Sequence, residues 1–102
     1  MKRFRLSKVA EADLDEIWLY VAADGGVDVA NRLIDDILDR IVLLASQPNA
    51  GRLRDEVAVG LRSLAVHRHV IYYRPAPSHI LIARILHGSR DQASAIDPQG
   101  VE

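Results

Sequence analysis

A chain of 102 residues with a formal net charge of −1 has the size of one domain and can fold around one hydrophobic core. It contains no cysteine, which excludes disulfides, thiolate metal sites and cysteine nucleophiles. No apolar run resembles a signal peptide or reaches the ~20 residues that span a bilayer, so we expect a cytoplasmic protein without a membrane partner.

The first elements are a short strand and a helix. The alternating residues "RFRL" at 3–6 predict the strand, and Ser7 is a suitable N-cap for a following helix. Apolar residues then recur at helical spacing: Leu14, Ile17 and Val21, with Trp18 at the edge of that stripe. The segment "ADGG" at 23–26 ends this helix.

A second helix begins near Asp28, which we expect to cap it, and ends in "SQPNAG" at 46–51. Its apolar residues recur at intervals of three and four: Ala30, Leu33, Ile34, Ile37, Leu38, Ile41, Leu44 and Ala45. With Val42 this stripe covers about half of the helix circumference, which is more than one neighbouring layer needs. We therefore expect the helix to contact both its partner helix and the sheet, and an apolar strip left over from these contacts would be open to an external partner. The predicted core combines one sheet face with residues of both helices: Leu14, Ile17, Val21, Leu33, Ile37, Leu38 and Ile41.

Three strand-like segments follow, at 60–66, 68–74 and 79–87, with "PAPS" at 75–78 as a turn. Their short connections predict an antiparallel meander. The fold class is therefore α+β: a short N-terminal strand, an antiparallel two-helix hairpin and a three-stranded antiparallel meander. We expect one domain over residues 1–91 and a frayed tail over 92–102. Simple alternation puts Ile80, Ile82, Arg84 and Leu86 on one face of the last strand, and Leu81, Ala83, Ile85 and His87 on the other.

Charge is divided along the chain. Residues 9–47 contain nine acids and two arginines, whereas residues 51–90 contain seven arginines and two acids. Arg62, Arg74 and Arg84 lie on three successive predicted strands, and their planar guanidinium groups suit an acidic partner. Two alternatives remain open: the charges belong to an ordinary solvated surface, or Arg84 lies over a sheet edge and pairs with an acid.

Several site classes find no support in the sequence. There is no glycine-rich phosphate loop, and no histidine pair has the helical spacing of a metal site, so we expect neither a cofactor nor a metal. His67 and His69 are expected at the surface.

Four segments occur in an order that is typical of a known family. They are "RLSKVAEADLDEIWLYVA" at 5–22, "QPNAGRLRDEVAVGLRSL" at 47–64, "HVIYYR" at 69–74 and "RILHGSRD" at 84–91. With them the sequence resembles the ParE branch of the ParE/RelE toxin superfamily, also known as plasmid-stabilisation toxins. The resemblance spans nearly the whole chain, and it implies the strand-helix-helix-sheet fold of that superfamily.

The resemblance also implies a function. The protein would be the toxin of a type II toxin–antitoxin system and would act on DNA gyrase. A ParD-like antitoxin with a disordered C-terminal tail would bind it in a hetero-oligomer. Direct binding to nucleic acid is not expected. The residues that we expect to contact antitoxin or target are Trp18, Val42, Arg62, Arg74, Arg84, His87 and Arg90.

Two other functions stay open. RelE-branch relatives cleave messenger RNA in the ribosome without a metal, and here Glu56 and His87 are the candidates for base and acid. The scarcity of lysine, with only Lys2 and Lys8, and the absence of an aromatic residue after Tyr73 favour the ParE branch instead. The third possibility is a non-toxic α+β protein-binding module.

Overall fold

A computed structural model describes residues 3–88 of the chain; the predicted tail at 92–102 and Arg90 lie outside them. The elements are β1 (Phe4–Leu6), α1 (Lys8–Gly25), α2 (Val27–Ser46), β2 (Arg52–Leu53), β3 (Arg62–Val66), β4 (His69–Pro75) and β5 (Ile80–His87). The two helices pack against one face of a five-stranded sheet, in the order β1-β5-β4-β3-β2. The predicted α+β class is confirmed, and neither helix within residues 3–88 is long and apolar enough to cross a bilayer.

The helical hairpin depends on Ser7 and Gly26. The Ser7 hydroxyl accepts a hydrogen bond from the Ala10 N–H at 3.0 Å and so caps α1, as predicted. Gly26 separates the helices with a φ of +96°, a conformation that favours glycine. α2 begins at Val27 without a side-chain cap, so the prediction that Asp28 caps it is wrong.

The sheet contains two features that the sequence did not predict. β3, β4 and β5 form the predicted antiparallel meander, but β2 adds a two-residue strand beside β3. β1 pairs parallel to β5, so the sheet is mixed. Two residues are too few to carry a periodic signal, and the β1–β5 pairing joins segments more than 70 residues apart.

The main core lies between the helices and the sheet. Ile37 and Ile41 of α2 are fully buried there beside Ile71 and Tyr73 of β4. Four of the other predicted core residues are half-buried and pack against this cluster: Leu14, Ile17, Leu33 and Leu38. The seventh, Val21, is half-buried but borders a cavity beside α1 instead of joining the cluster.

A β-bulge divides β5 between two hydrophobic clusters. Tyr72 lies opposite Arg84 while Tyr73 lies opposite Ile82, which leaves Ala83 as the extra residue. Beyond the bulge the alternation is shifted by one residue. The helix-side cluster receives Ile80, Ile82 and Ile85, and a second cluster receives Ala83 and Leu86. The predicted alternation, with Leu86 on the face of Ile80, is therefore wrong.

The second cluster covers part of the opposite sheet face. The segment at residues 54–61, here named the covering loop, brings Ala58 and Leu61 against Tyr72 of β4. The two helices thus cover one face of the sheet, and the covering loop covers part of the other face. The polar side chains at the margins of these two hydrophobic clusters form the candidate site.

Candidate functional site

Arg62 and Tyr73 hold the loop between α2 and β2. The Tyr73 hydroxyl donates to the Pro48 carbonyl at 2.7 Å and accepts from the Gly51 N–H at 2.8 Å. Burial raises the pKa of Tyr73, which keeps the hydroxyl protonated and able to donate. The Arg62 guanidinium donates to the carbonyl oxygens of Gly51 at 2.8 Å and Asn49 at 3.3 Å. The sequence predicted that Arg62 contacts a partner. In the structure its guanidinium binds two carbonyl oxygens of its own chain.

Arg54 forms a polar cluster at the start of the covering loop, which the sequence reasoning missed. Its Nε donates to a Glu56 carboxylate oxygen at 2.6 Å, and its guanidinium carbon lies 5.6 Å from the centre of the Tyr72 ring. A weaker contact of 3.4 Å joins Arg54 to the Ser63 hydroxyl. The hydrogen bond from Arg54 lowers the pKa of Glu56, and the same bond raises the pKa of Arg54. Glu56 is therefore held as a carboxylate.

Arg74 stabilises the far end of the covering loop. Its guanidinium donates to the Val59 carbonyl at 2.9 Å, and the Asp55 carboxylate accepts from the Gly60 N–H at 2.8 Å. Gly60 has a φ of +80°, which a residue with a side chain rarely adopts. These bonds leave the Val59 side chain 81% exposed beyond the sheet.

Arg84 pairs with Asp13 of α1, which is one of the two arrangements that the sequence left open. Its Nε and one terminal nitrogen donate to the two carboxylate oxygens at 2.8 and 3.0 Å, and the Ile85 N–H donates to the same carboxylate at 2.9 Å. The hydrogen bonds from Arg84 to Asp13 raise the pKa of Arg84. The Ser7 hydroxyl also donates to the Ala83 carbonyl at 2.8 Å. The N-cap of α1, Ser7, and Asp13 within the helix thus cover the edge of β5 beyond the end of β1.

His87 ends β5 beside His69, the first residue of β4. The two rings meet edge to face, with centres 5.3 Å apart. His69 is buried, which corrects the expectation that it lies at the surface, and burial, followed by the charges of His87 and His67, lowers its pKa. The rings border a cavity of about 390 Å³ with walls from α1 and β5: Asp13, Glu16, Ile17, Tyr20, Val21, Ile85 and Leu86.

The structure does not bring Glu56 and His87 into one cluster. Glu56 contacts Arg54 above Tyr72, whereas His87 packs on His69 at the beginning of β4. A general base and a general acid acting on one phosphate must both reach the reacting atoms. The two residues therefore belong to different parts of the described surface.

The helical hairpin exposes apolar side chains at both ends. Trp18 is half-buried, and its indole N–H donates to Asn31 at 2.8 Å, which ties α1 to α2 in antiparallel orientation. That pairing puts Val9 at the same end of the hairpin as Val42 and Leu43. The exposed apolar residues at the other end are Leu19, Tyr20, Val27 and Val29. Of these surface residues, the sequence analysis had identified Trp18 and Val42 as partner contacts.

Comparisons with known proteins give a consistent result. The profile of the ParE toxin family, described as the ParE toxin of the type II toxin-antitoxin system parDE, matches residues 4–92. The chain is 36% identical to Toxin ParE1 of Caulobacter vibrioides over 87% of this chain and 92% of that protein. It is 34% identical to Toxin ParE1 of Mycobacterium tuberculosis, with the same coverage of both chains. A structure of the chromosomal ParDE system from P. aeruginosa superposes with a TM-score of 0.74 and 25% identity, covering 85% of this chain and 96% of that one.

Proposed function

The chain belongs to the ParE family of toxins of type II toxin–antitoxin systems, and on that premise we propose that a ParD-like antitoxin neutralises it by direct binding and that it inhibits DNA gyrase. The likeness to a chromosomal ParDE system supports an antitoxin as its partner. The complex is a cytoplasmic hetero-oligomer, and the toxin acts without a cofactor.

The exposed apolar residues of the hairpin carry the antitoxin proposal. Tyr20 is 76% exposed near one end, and Val42 is 58% exposed near the other. Exposed apolar side chains that gather on one part of a surface are typical of a site that a partner covers, and both residues belong to the same helical hairpin. α1 has 18 residues and so is about 27 Å long at 1.5 Å per residue, a length that one amphipathic helix of an antitoxin tail can follow.

The state of Glu56 supports gyrase inhibition over cleavage of messenger RNA. A general base works best when its pKa lies near the operating pH, and Arg54 moves the pKa of Glu56 further below that range. The contact of His87 with His69, away from the Arg54–Glu56 pair, also argues against an acid–base pair of the kind that the nuclease alternative needs.

Induction of the toxin in cells separates the two activities. We expect DNA breaks and a DNA-damage response while ribosome-bound messages stay intact, and co-expression of the antitoxin encoded beside the toxin should abolish both effects. Cleaved messages without DNA damage would refute gyrase inhibition. His87→Gln keeps hydrogen bonding but cannot titrate near neutrality, so it should remain toxic. A well-folded but non-toxic His87→Gln variant with unchanged antitoxin affinity would favour the nuclease.

Binding measurements test the hairpin surface. Tyr20→Ser and Val42→Ser should each weaken antitoxin binding, because each removes an exposed apolar side chain from the proposed interface. Val59→Ser is the matched control, since Val59 is equally apolar and exposed but lies on the covering loop. Equal affinities for all three variants and the unmodified toxin would place the antitoxin elsewhere.

A further inference from the structure

β2 and the covering loop form a corner of the molecule where apolar and basic side chains are exposed together. Val59 is 81% exposed, more than any other large apolar side chain in residues 3–88, and Leu53 of β2 is 47% exposed. β2 is the outermost strand at one end of the sheet, whereas α1 packs along β5 and β1 at the other end. We name this surface the β2 corner; it consists of Arg52, Leu53, Arg54 and Val59.

Backbone hydrogen bonds fix the position of Val59. The Arg54 N–H donates to the Leu61 carbonyl at 2.7 Å and closes the covering loop at its base. The Leu61 N–H donates to the Ala58 carbonyl at 3.0 Å, and both of these residues are buried against the sheet. Val59 lies between them, and its own carbonyl accepts from Arg74 at 2.9 Å. A side chain on a backbone held in this way loses little conformational freedom when a partner covers it.

The β2 corner also carries a positive charge that its neighbours do not neutralise. Glu56 pairs with Arg54, and the Asp55 carboxylate accepts from the Gly60 N–H. Arg52 is exposed and forms no ion pair with another residue of the described part of the chain. Arginine is enriched in the contact surfaces of proteins, and its planar guanidinium suits carboxylates. The corner therefore fits a protein partner with an apolar depression bordered by acidic groups.

We propose that the β2 corner is the surface through which the toxin contacts DNA gyrase, with Val59 in an apolar depression of the enzyme and Arg52 facing acidic groups beside it. This inference rests on the proposed inhibition of gyrase. It gives the toxin two separate surfaces, because the hairpin and the covering loop lie on opposite faces of the sheet. An antitoxin on the hairpin can still neutralise the toxin, since its bulk blocks the approach of a large enzyme.

The exposure of Val59 has a simpler explanation. Single apolar side chains are common on protein surfaces, and the covering loop has a structural role because it buries Tyr72. Under that explanation, the Val59 side chain can be replaced without any effect on gyrase.

A supercoiling assay with purified gyrase distinguishes these explanations. Val59→Ser should raise the toxin concentration for half-inhibition by about tenfold or more, an effect common for a central interface contact. Val59→Leu keeps an apolar side chain and should inhibit as well as the unmodified toxin. Both variants should keep the melting temperature and the antitoxin affinity of the unmodified toxin, because Val59 is exposed and lies away from the hairpin.

The outcomes separate this inference from the proposed function. Unchanged inhibition by Val59→Ser would overturn the inference and leave gyrase inhibition standing. Weaker antitoxin binding by Val59→Ser would assign the β2 corner to the antitoxin and would also overturn the inference. An unmodified, folded toxin that does not inhibit gyrase would refute the proposed function and the inference with it.

A charge reversal provides a second test with a matched control. Arg52→Glu should weaken gyrase inhibition by about tenfold or more, because it sets a carboxylate against acidic groups of the enzyme. Arg5→Glu makes the same change on β1, at the opposite end of the sheet, where Arg5 is also exposed. Little effect is expected from it. Equal losses would indicate general attraction between charges, and no loss from Arg52→Glu would indicate a corner that gyrase does not contact; either result would overturn the inference.

Discussion

Asp13→Ala should strongly destabilise the fold, because Asp13 joins α1 to the edge of β5. Its carboxylate accepts two hydrogen bonds from Arg84 and one from the Ile85 N–H, and the two side chains are only 9% and 20% exposed. Removing one member of a buried ion pair costs about 3–5 kcal/mol. Because Arg84 retains some access to water, we expect the lower end of that range. For a domain of this size, ~3 kcal/mol corresponds to a fall in Tm of roughly 12–24 °C.

Thermal and urea unfolding measure this effect, and α1 provides its control. Asp15→Ala removes an exposed carboxylate two residues further along the same helix, so its free energy of unfolding should stay within about 0.5 kcal/mol of the unmodified protein. Asp13→Asn should fall between the two, because it keeps an acceptor oxygen but loses the charge. Equal melting temperatures for Asp13→Ala and Asp15→Ala would refute the role given to the Arg84–Asp13 pair.

Three further predictions concern the core, the loop and the histidine pair. Ile37→Ala should lower the free energy of unfolding by about 2–5 kcal/mol, since Ile37 is fully buried, and a loss below ~1 kcal/mol would contradict its place in the core. Tyr73→Phe removes the hydroxyl that bonds Pro48 and Gly51 and should cost about 1–3 kcal/mol in urea unfolding, whereas Tyr20→Phe at an exposed position should cost little. Burial lowers the pKa of His69, so the unfolded chain binds more protons than the folded protein as the pH falls through the ordinary histidine pKa of about 6.5. His69 should therefore contribute a loss of stability as the pH falls through that range. This contribution should vanish in His69→Gln; an unchanged pH dependence would contradict the burial of a neutral ring.

The sequence predicted the helices well because their signals are local. The spacing of apolar residues and the Ser7 cap identified both helices, and Ile37 and Ile41 lie in the core as expected. The second helix begins at Val27 without a side-chain cap, because the residue at its N-cap position is Gly26, which has no side chain.

The sheet was harder to predict because its decisive features depend on partners that are distant in sequence. Alternation on β5 fails at Ala83, where a bulge against β4 inserts one residue, and no residue pattern in β5 marks that position. In the sequence, Asp13 is not distinguished from the other acidic residues of the first helix. Its selection as the partner of Arg84 follows from the packing of α1 along β5, which residue spacing cannot reveal.

Gyrase inhibition is tested most directly by a DNA supercoiling assay with purified gyrase and the purified toxin. We expect the toxin to inhibit gyrase, pre-incubation with its antitoxin to restore supercoiling, and His87→Gln to inhibit as well as the unmodified toxin. Full gyrase activity in the presence of a folded toxin that still binds its antitoxin would contradict this expectation.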